Sequence, residues 1–205
     1  MTDHSHPHPF QKDLEDAPFS EKMLLTQSIQ ELLIEKGITT NSKIRKQIEI
    51  IDNKTPALGA KLIARAWQDP AFKKRVLSNV NHAALEIGID TGDIPIRAIE
   101  NTKSIHNVVV CTLCSCYPRM LLGLPPDWYK SRIYRMRTVK EPRKVLAEFG
   151  TFIEKETEIN VYDSTADLRY IVLPLQPKNT LDWSTERLTE IITRDCMIGV
   201  SRVAI

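Results

Sequence analysis

The sequence lacks the features that would direct the chain to a membrane, a nucleic acid or a secretory route. None of the apolar runs in its 205 residues approaches the roughly 20 needed to span a bilayer, and the N-terminus has no signal peptide. The formal net charge is only +2, and the Lys and Arg residues are interleaved with acidic ones. We therefore expect a cytoplasmic protein without a membrane or nucleic-acid partner, whose thiols stay reduced unless a metal binds them.

The cysteines are few, and their spacing excludes several common cysteine sites. Three of the four lie in one stretch, Cys111-Thr-Leu-Cys114-Ser-Cys116, and Cys196 is expected to be a buried, inert thiol far from them. A zinc ribbon needs a second C-x-x-C pair, a ferredoxin-type cluster needs C-x-x-C-x-x-C, and a cysteine nucleophile needs one thiol with a histidine. Two alternatives stay open: a redox pair of Cys111 and Cys114, and His106 as a fourth ligand to zinc.

The hydropathy pattern predicts a helical N-terminal half and a mixed C-terminal half, which is an α+β fold. Residues 1–18 predict a disordered His-rich tail, residues 19–88 a helical N-terminal arm, and residues 89–205 a metal-binding α/β catalytic domain. The predicted elements are helices over 20–36, from 41 past 51, from 58 to about 67 and from 70 towards 88; strands at 96–100, 107–110 and 168–173; helices near 128, over 142–149 and around 188–192; and a final strand at 196–200.

The cysteine stretch follows a β-branched run, Val108 to Val110, which predicts a buried strand with the cysteines at its C-terminal end. Open α/β sheets build their sites at such strand ends. Two residues apart in a tight turn, Cys114 and Cys116 can present both sulfurs to one ion. The main-chain nitrogens of Ser115 and Cys116, if deprotonated, would complete a planar donor set with Cys111 as an axial ligand. Such donors suit trivalent iron or cobalt better than zinc, and the spacing makes this arrangement possible without establishing it.

The stretch from Val110 to Pro118 resembles the metal-binding signature of the nitrile hydratase α subunit. The similarity continues through Leu122–Lys130, Tyr134, Arg135, Arg137, Glu141–Leu146, Tyr162–Ser164, Arg169–Pro174, Thr193–Val200 and, in the N-terminal half, Gly59–Trp67. This resemblance implies a fold of the nitrile hydratase α-chain type, with a helical N-terminal arm and a C-terminal layered α-β-β-α domain. It also implies a hydro-lyase that hydrates nitriles to the corresponding amides.

The resemblance further implies a non-corrin metal centre. Its ligands would be the thiolates of Cys111, Cys114 and Cys116 and the main-chain nitrogens of Ser115 and Cys116. Cobalt enzymes of the family have threonine after the first ligand cysteine and iron enzymes have serine, so Thr112 favours Co(III) over Fe(III). Cys114 would be oxidised to the sulfinic state and Cys116 to the sulfenic state.

The same resemblance implies that Cys114, Ser115 and Cys116 are the catalytic residues. The ion would polarise a nitrile nitrogen or acidify water. The attacking group is left open among hydroxide at the metal, a nearby activated water and the Cys116 sulfenate.

A partner chain is implied as well, because oxidised sulfurs carry negative charge and need fixed donors around them. By the resemblance, a β subunit supplies these donors as arginines in a heterodimer or α2β2 assembly, and an activator or metallochaperone inserts the cobalt. We therefore expect this chain alone to be inactive. Within the chain, Asp163 and Arg169 match positions that the family uses near the metal, although a surface pair at a strand end explains them equally well. Thr112 and Arg119 are further candidates beside the ligands.

Two departures from the family pattern leave the substrate open. Arg119 and Met120 follow Pro118 where nitrile hydratases have Trp-Pro, and an arginine here resembles the γ subunit of thiocyanate hydrolase. The family's Gly-x-Gln-Gly-Glu segment is also missing, and Gly88–Asp93 stands in its place without a glutamine. Leu124–Trp128, in contrast, follows the nitrile hydratase version. The alternatives are a γ-type subunit of a thiocyanate hydrolase and a non-catalytic cobalt-carrying chain.

Overall fold

The computed structural model describes residues 20–205, and the predicted tail at 1–18 lies outside them. The elements are α1 Glu21–Glu35, α2 Asn41–Asp52, α3 Pro56–Gln68, α4 Pro70–Ser78, α5 Val80–Glu86, β1 Ile96–Glu100, β2 Ile105–Val110, α6 Arg119–Leu122, α7 Asp127–Lys130, α8 Arg132–Lys140, α9 Pro142–Glu148, β3 Glu158–Asp163, β4 Arg169–Leu173, α10 Thr185–Ile191 and α11 Arg194–Ile198. The predicted α+β class is confirmed.

The strands form two separate parallel pairs. Strand β1 pairs with β4, and β2 pairs with β3. In the second pair the register matches Val108 with Val161 and Val110 with Asp163. Because parallel strands end on the same side of a sheet, the cysteine stretch that follows Val110 begins beside Asp163. This register positions the site.

One hydrophobic core joins the helices before residue 88 to the strands after it. Helix α3 starts with Pro56 at its first turn and buries Leu62 and Ile63 completely. At Gly59 the helix packs closely against residues from later in the chain. A Cβ added there would lie 2.6 Å from a Leu122 methyl and 2.8 Å from the Met197 sulfur. The core therefore crosses the predicted domain boundary at residue 88, and the boundary itself stays a prediction.

Helices α1 and α2, which we call the outer helix pair (residues 20–53), contrast with the rest of the chain. Neither helix buries a residue against the described part of the chain. Leu25 of α1 is 60% exposed and Ile48 of α2 is 53% exposed. Both helices form where the sequence predicts them. Their apolar residues have helical spacing but do not pack against the core of the described chain.

Two sequence-based assignments need correction. The predicted final strand at 196–200 is wrong, because helix α11 occupies Arg194–Ile198. The Thr193 hydroxyl accepts a hydrogen bond from the main-chain N–H of Cys196, and Gly199 ends the helix with φ +90°. A short apolar run does not distinguish a buried helix from a buried strand, whereas these caps do. The helix predicted from 70 towards 88 is also two helices, with Asn79 capping the second.

No helix within residues 20–205 has the length and apolar character required to cross a membrane.

Candidate metal centre

The three clustered cysteines converge on one point after β2. The Sγ atoms of Cys111 and Cys114 are 3.4 Å apart, and those of Cys114 and Cys116 are 3.0 Å apart. All three sulfurs lie within 4.8 Å of one another, and no other group of His, Cys, Asp or Glu in the described residues has metal-binding spacing. Cys111 is fully buried and Cys116 is 9% exposed, whereas Cys114 is exposed. One ion can therefore contact all three sulfurs and remain open on the Cys114 side.

Contacts from three other elements hold the main chain of this loop. Asp163, at the end of β3, accepts hydrogen bonds from the main-chain N–H of Thr112 at 2.9 Å and from its hydroxyl. Tyr129 of α7 donates its hydroxyl to the Cys116 carbonyl at 2.9 Å. Arg135 of α8 donates to the Cys114 carbonyl at 2.7 Å. The loop is thus fixed at its start, its middle and its end.

The sequence pointed to Thr112 and Asp163, but not to Tyr129 or Arg135 as site residues. Both missed residues occur inside stretches that carry the family resemblance, which is the only signal that would have found them. Tyr129 and the neighbouring Trp128 both have buried side chains. Trp128 packs edge-on against Tyr134, with ring centroids 4.9 Å apart.

The thiols differ in acidity because they differ in burial and in hydrogen bonding. The hydrogen bond with the Cys116 thiol lowers the pKa of Cys114, and contacts with the Cys111 thiol and the main-chain N–H groups of Cys116 and Ser115 act in the same direction. Burial raises the pKa of Cys116 to about 12. Cys114 is therefore the first of these two thiols to lose its proton. A cation that binds all three sulfurs must also displace the proton of Cys116.

A cavity of about 450 Å³ opens beside the cysteines. Its walls comprise the 91–94 loop and Ile96, Ile51 of the outer helix pair, residues Cys114–Met120, and Arg169 at the start of β4. The structure thus places two of the sequence-predicted residues, Arg119 and Arg169, in the wall of one cavity. Asp93, from the segment that replaces the family's glutamine motif, lines it as well.

Arg169 provides a test of whether these residues fit an oxidised metal–thiolate group. Its Nε and Nη1 atoms are buried and have no hydrogen-bond partner within residues 20–205. Its charge also acts to lower the pKa of Cys116. Buried guanidinium donors without an acceptor are costly, and oxygen atoms on a neighbouring sulfur would satisfy them. The three thiols, the adjacent main-chain nitrogens and this donor fit the implied cobalt or iron centre.

Cys196 and His106 lie outside the cysteine cluster. Cys196 is fully buried, as predicted, and burial raises its pKa to about 12. The Nε2 atom of His106 lies 2.7 Å from the Gly199 carbonyl, and neither residue belongs to the cysteine cluster. A zinc site that uses His106 as a fourth ligand is therefore not formed.

Comparison with known proteins places this geometry in a family. Residues 20–201 match the family model described as nitrile hydratase, alpha chain. The chain is 48% identical over 177 residues to the cobalt-containing nitrile hydratase subunit alpha of Pseudonocardia thermophila, which covers 84% of this chain and 86% of that protein. It is 39% identical over 201 residues to the thiocyanate hydrolase subunit gamma of Thiobacillus thioparus, covering 90% and 83% of the two chains.

Solved structures agree with these sequence matches. A recombinant thiocyanate hydrolase comprising partially modified cobalt centers superposes with a TM-score of 0.84 at 38% identity over 91% of each chain. A double mutant of the Fe-type nitrile hydratase from Comamonas testosteroni Ni1 superposes with a TM-score of 0.80 at 38% identity over 90% of this chain and 92% of that one. The chain therefore belongs to the nitrile hydratase α-chain family of hydro-lyase enzyme subunits.

Proposed function

We propose that this chain is the metal-bearing α subunit of a cobalt-dependent nitrile hydratase, which adds water across a nitrile to form the amide. The observation that carries the proposal is the three-sulfur cluster, open on one side, at the wall of a cavity that also contains Arg169. Thr112 and the similarity to cobalt-containing relatives favour Co(III). Fe(III) is the alternative, since an Fe-type structure is also similar.

Cys111, Cys114 and Cys116, with the main-chain nitrogens of Ser115 and Cys116, would hold the ion. When bound, a trivalent ion supplies Lewis acidity towards a nitrile or a water molecule. Cys114 is both exposed and the thiol of lowered pKa, whereas Cys111 is fully buried. Because oxidation follows thiolate character and exposure, these differences support a sulfinic Cys114 and an unmodified Cys111, while the sulfenic state of Cys116 rests on the family resemblance alone.

The remaining residues of the site would orient the cysteine loop or bind the oxidised sulfurs and the substrate. Asp163 fixes the start of the cysteine loop through Thr112. The unpaired donors of Arg169 would hold an oxygen on the oxidised sulfurs or the polar end of the substrate. The cavity wall, which is largely apolar around Ile51, Ile94 and Ile96, would take the organic part of a nitrile.

A β subunit is the partner we propose, with arginines that reach the oxidised sulfurs from the open Cys114 side. The exposed apolar residues of the outer helix pair support a contact with another chain. A cobalt-inserting activator and a cytoplasmic location, where thiols stay reduced until metal binds, complete the proposal.

Co-purification with tagged chain, followed by intact-mass and peptide mass spectrometry, tests this proposal. We expect cobalt, one partner chain, two oxygens on Cys114 and one on Cys116, together with conversion of a nitrile to its amide. The cobalt-loaded chain without its partner should be inactive. Robust turnover by the isolated chain would contradict the need for a β subunit. Stable cobalt and sulfur oxidation in the assembled complex, with no turnover of nitrile or thiocyanate, would favour the non-catalytic carrier.

A thiocyanate hydrolase subunit is the second candidate, because Arg119 stands in the cavity wall and a γ subunit of that enzyme is a relative. Arg119 is exposed in this chain, so its preference for an anion is worth at most about 1 kcal/mol unless a partner buries it. We therefore expect Arg119→Trp to change the ratio of nitrile to thiocyanate turnover by about fivefold or less in an open site, since 1.4 kcal/mol corresponds to tenfold. Identical ratios in both proteins would exclude Arg119 as the cause of an altered substrate range.

A further inference from the structure

The Cys114 carbonyl receives a charged hydrogen bond from a residue that no sequence argument assigned to the site. The Nη1 atom of Arg135 lies 2.7 Å from the Cys114 carbonyl oxygen and 3.4 Å from that of Thr112. The Nε atom of the same side chain lies 3.4 Å from the Ser131 carbonyl, at the start of its own helix. The guanidinium therefore forms hydrogen bonds both with the start of α8 and with the cysteine loop.

The geometry of the peptide bond gives this contact a consequence for metal binding. The Cys114 carbonyl and the Ser115 nitrogen belong to one planar unit, and the described chain contains no cis peptide bond. In a trans peptide the C=O and N–H bonds point in opposite directions. When Arg135 holds the Cys114 oxygen, the Ser115 N–H must therefore point away from Arg135. It faces the cysteine side of the loop, where it acts to lower the pKa of the Cys114 thiol.

From this juxtaposition we propose that Arg135 is a positioning residue, which orients the Cys114–Ser115 peptide so that the Ser115 nitrogen faces the ion. The inference rests on the proposed function, since it takes that nitrogen as a ligand. A guanidinium suits the role because its hydrogen bond to a carbonyl is charge-assisted and its planar fork reaches two carbonyls from one side chain.

The other contacts of the loop do not replace Arg135. Asp163 holds the main chain at Thr112, and Tyr129 holds it at Cys116. Neither contacts the Cys114–Ser115 peptide. Loss of Arg135 should therefore leave the three sulfurs together but free this one peptide to rotate, so that nitrogen ligation is lost while sulfur ligation persists.

The experiment compares Arg135→Met with Arg132→Met in the full chain, co-expressed with its partner and cobalt. Arg132 is an exposed residue of the same helix and serves as the matched control. The measurements are the unfolding midpoint, the nitrogen and sulfur coordination numbers from X-ray absorption, and the rate of cobalt release to a chelator. We expect Arg135→Met to keep its sulfur ligands, lose a nitrogen ligand and release cobalt about 10-fold to 100-fold faster, the usual range when a residue that orients a ligand is removed.

The outcomes separate the two proposals. A wild-type chain whose cobalt has no nitrogen ligand overturns the proposed metal site and with it the role of Arg135. A wild-type chain with nitrogen ligands and an unchanged Arg135→Met variant overturns only the role of Arg135. If Arg135→Met unfolds, the comparison is made with Arg135→Lys and Arg132→Lys instead. Arg135→Lys should release cobalt faster than Arg132→Lys, because a single ammonium does not reproduce the planar fork of the guanidinium. Equal release rates for the two lysine variants would overturn the inference.

Discussion

Helices α1 and α3 both have apolar residues at helical spacing, but only α3 buries them against the described chain. Leu62 and Ile63 of α3 are fully buried, whereas Leu25 and Leu32 of α1 are 60% and 48% exposed. The same periodicity therefore produced a core helix in the body of the molecule (residues 54–205) and an exposed helix in the outer pair. Burial supplies most of the stability of a helix in a protein, so the outer pair must depend on something besides this chain's own core.

The largest effect expected from this contrast concerns two glycines with positive φ. A Cβ at Gly199 would lie 2.0 Å from the Asn107 carbonyl oxygen, whereas a Cβ at Gly37 would meet nothing within 4 Å. Gly199→Ala should destabilise the body by more than about 4 kcal/mol, because strand β2 must shift. Gly37→Ala should cost only about 1–2 kcal/mol, confined to the end of α1, since its φ of +68° is merely strained for alanine. Urea unfolding monitored by tryptophan fluorescence measures the loss in the body, where all three tryptophans lie, and far-UV circular dichroism measures the loss in α1. Comparable losses would contradict the contrast.

A leucine in each region provides the next test. Leu62→Ala should lower the free energy of unfolding by about 2–5 kcal/mol, because it opens a cavity in the core. Leu32→Ala, which truncates a half-exposed side chain, should change the stability of the isolated chain by about 0.5 kcal/mol or less. If the proposed partner covers the outer pair, the Leu32 variant should instead weaken assembly, measured as the dissociation constant of the complex. No loss of affinity would exclude Leu32 from the interface.

The pH dependence of stability should distinguish the regions in a third way. Burial lowers the pKa of His106, which is 4% exposed and contacts the Gly199 carbonyl through Nε2. Its pKa in the unfolded chain is about 6.5. The unfolded chain therefore binds the proton more readily, so His106 contributes fully above pH 6.5 and the body loses stability as the pH falls towards the folded-state pKa.

His106→Gln should flatten this dependence, because glutamine does not titrate and keeps an N–H donor. The check is the difference in urea midpoint between wild type and variant at successive pH values. The outer pair contains no histidine, so its helicity by circular dichroism should stay constant over the same range. A variant with the wild-type slope would show that other groups produce the dependence.

The smallest effect concerns one helix cap in each region. Asn79 accepts a hydrogen bond from the His82 N–H at 3.0 Å in the body, and Thr40 accepts one from the Lys43 N–H at 3.2 Å in the outer pair. Replacing either capping residue by alanine costs about 1 kcal/mol of helix stability. Asn79→Ala should lower the global unfolding midpoint, whereas Thr40→Ala should reduce helical ellipticity without moving that midpoint. A shift of the midpoint by Thr40→Ala would show that α2 unfolds together with the body.

Helix α11 and the cysteine loop show how far prediction from sequence reached in this chain. The run from Cys196 to Val200 was assigned as a strand because apolar content alone does not distinguish a buried helix from a buried strand. Its caps, Thr193 and Gly199, were visible in the sequence, and they would have indicated the helix. The cysteine loop was predictable from sequence alone, since its three cysteines lie within six residues of the chain.

The sequence by itself determined this set of three thiols, because Cys111, Cys114 and Cys116 lie within six residues and their sulfurs meet through local backbone geometry. Only the tertiary structure decided what surrounds that set. Asp163 reaches Thr112 because β2 and β3 pair in parallel with Val110 opposite Asp163. Arg135 reaches Cys114 from a helix 21 residues away along the chain, and Arg169 reaches the cavity from β4. Contacts at such separations depend on strand register and helix packing, which are properties of the whole core and cannot be inferred from any single stretch.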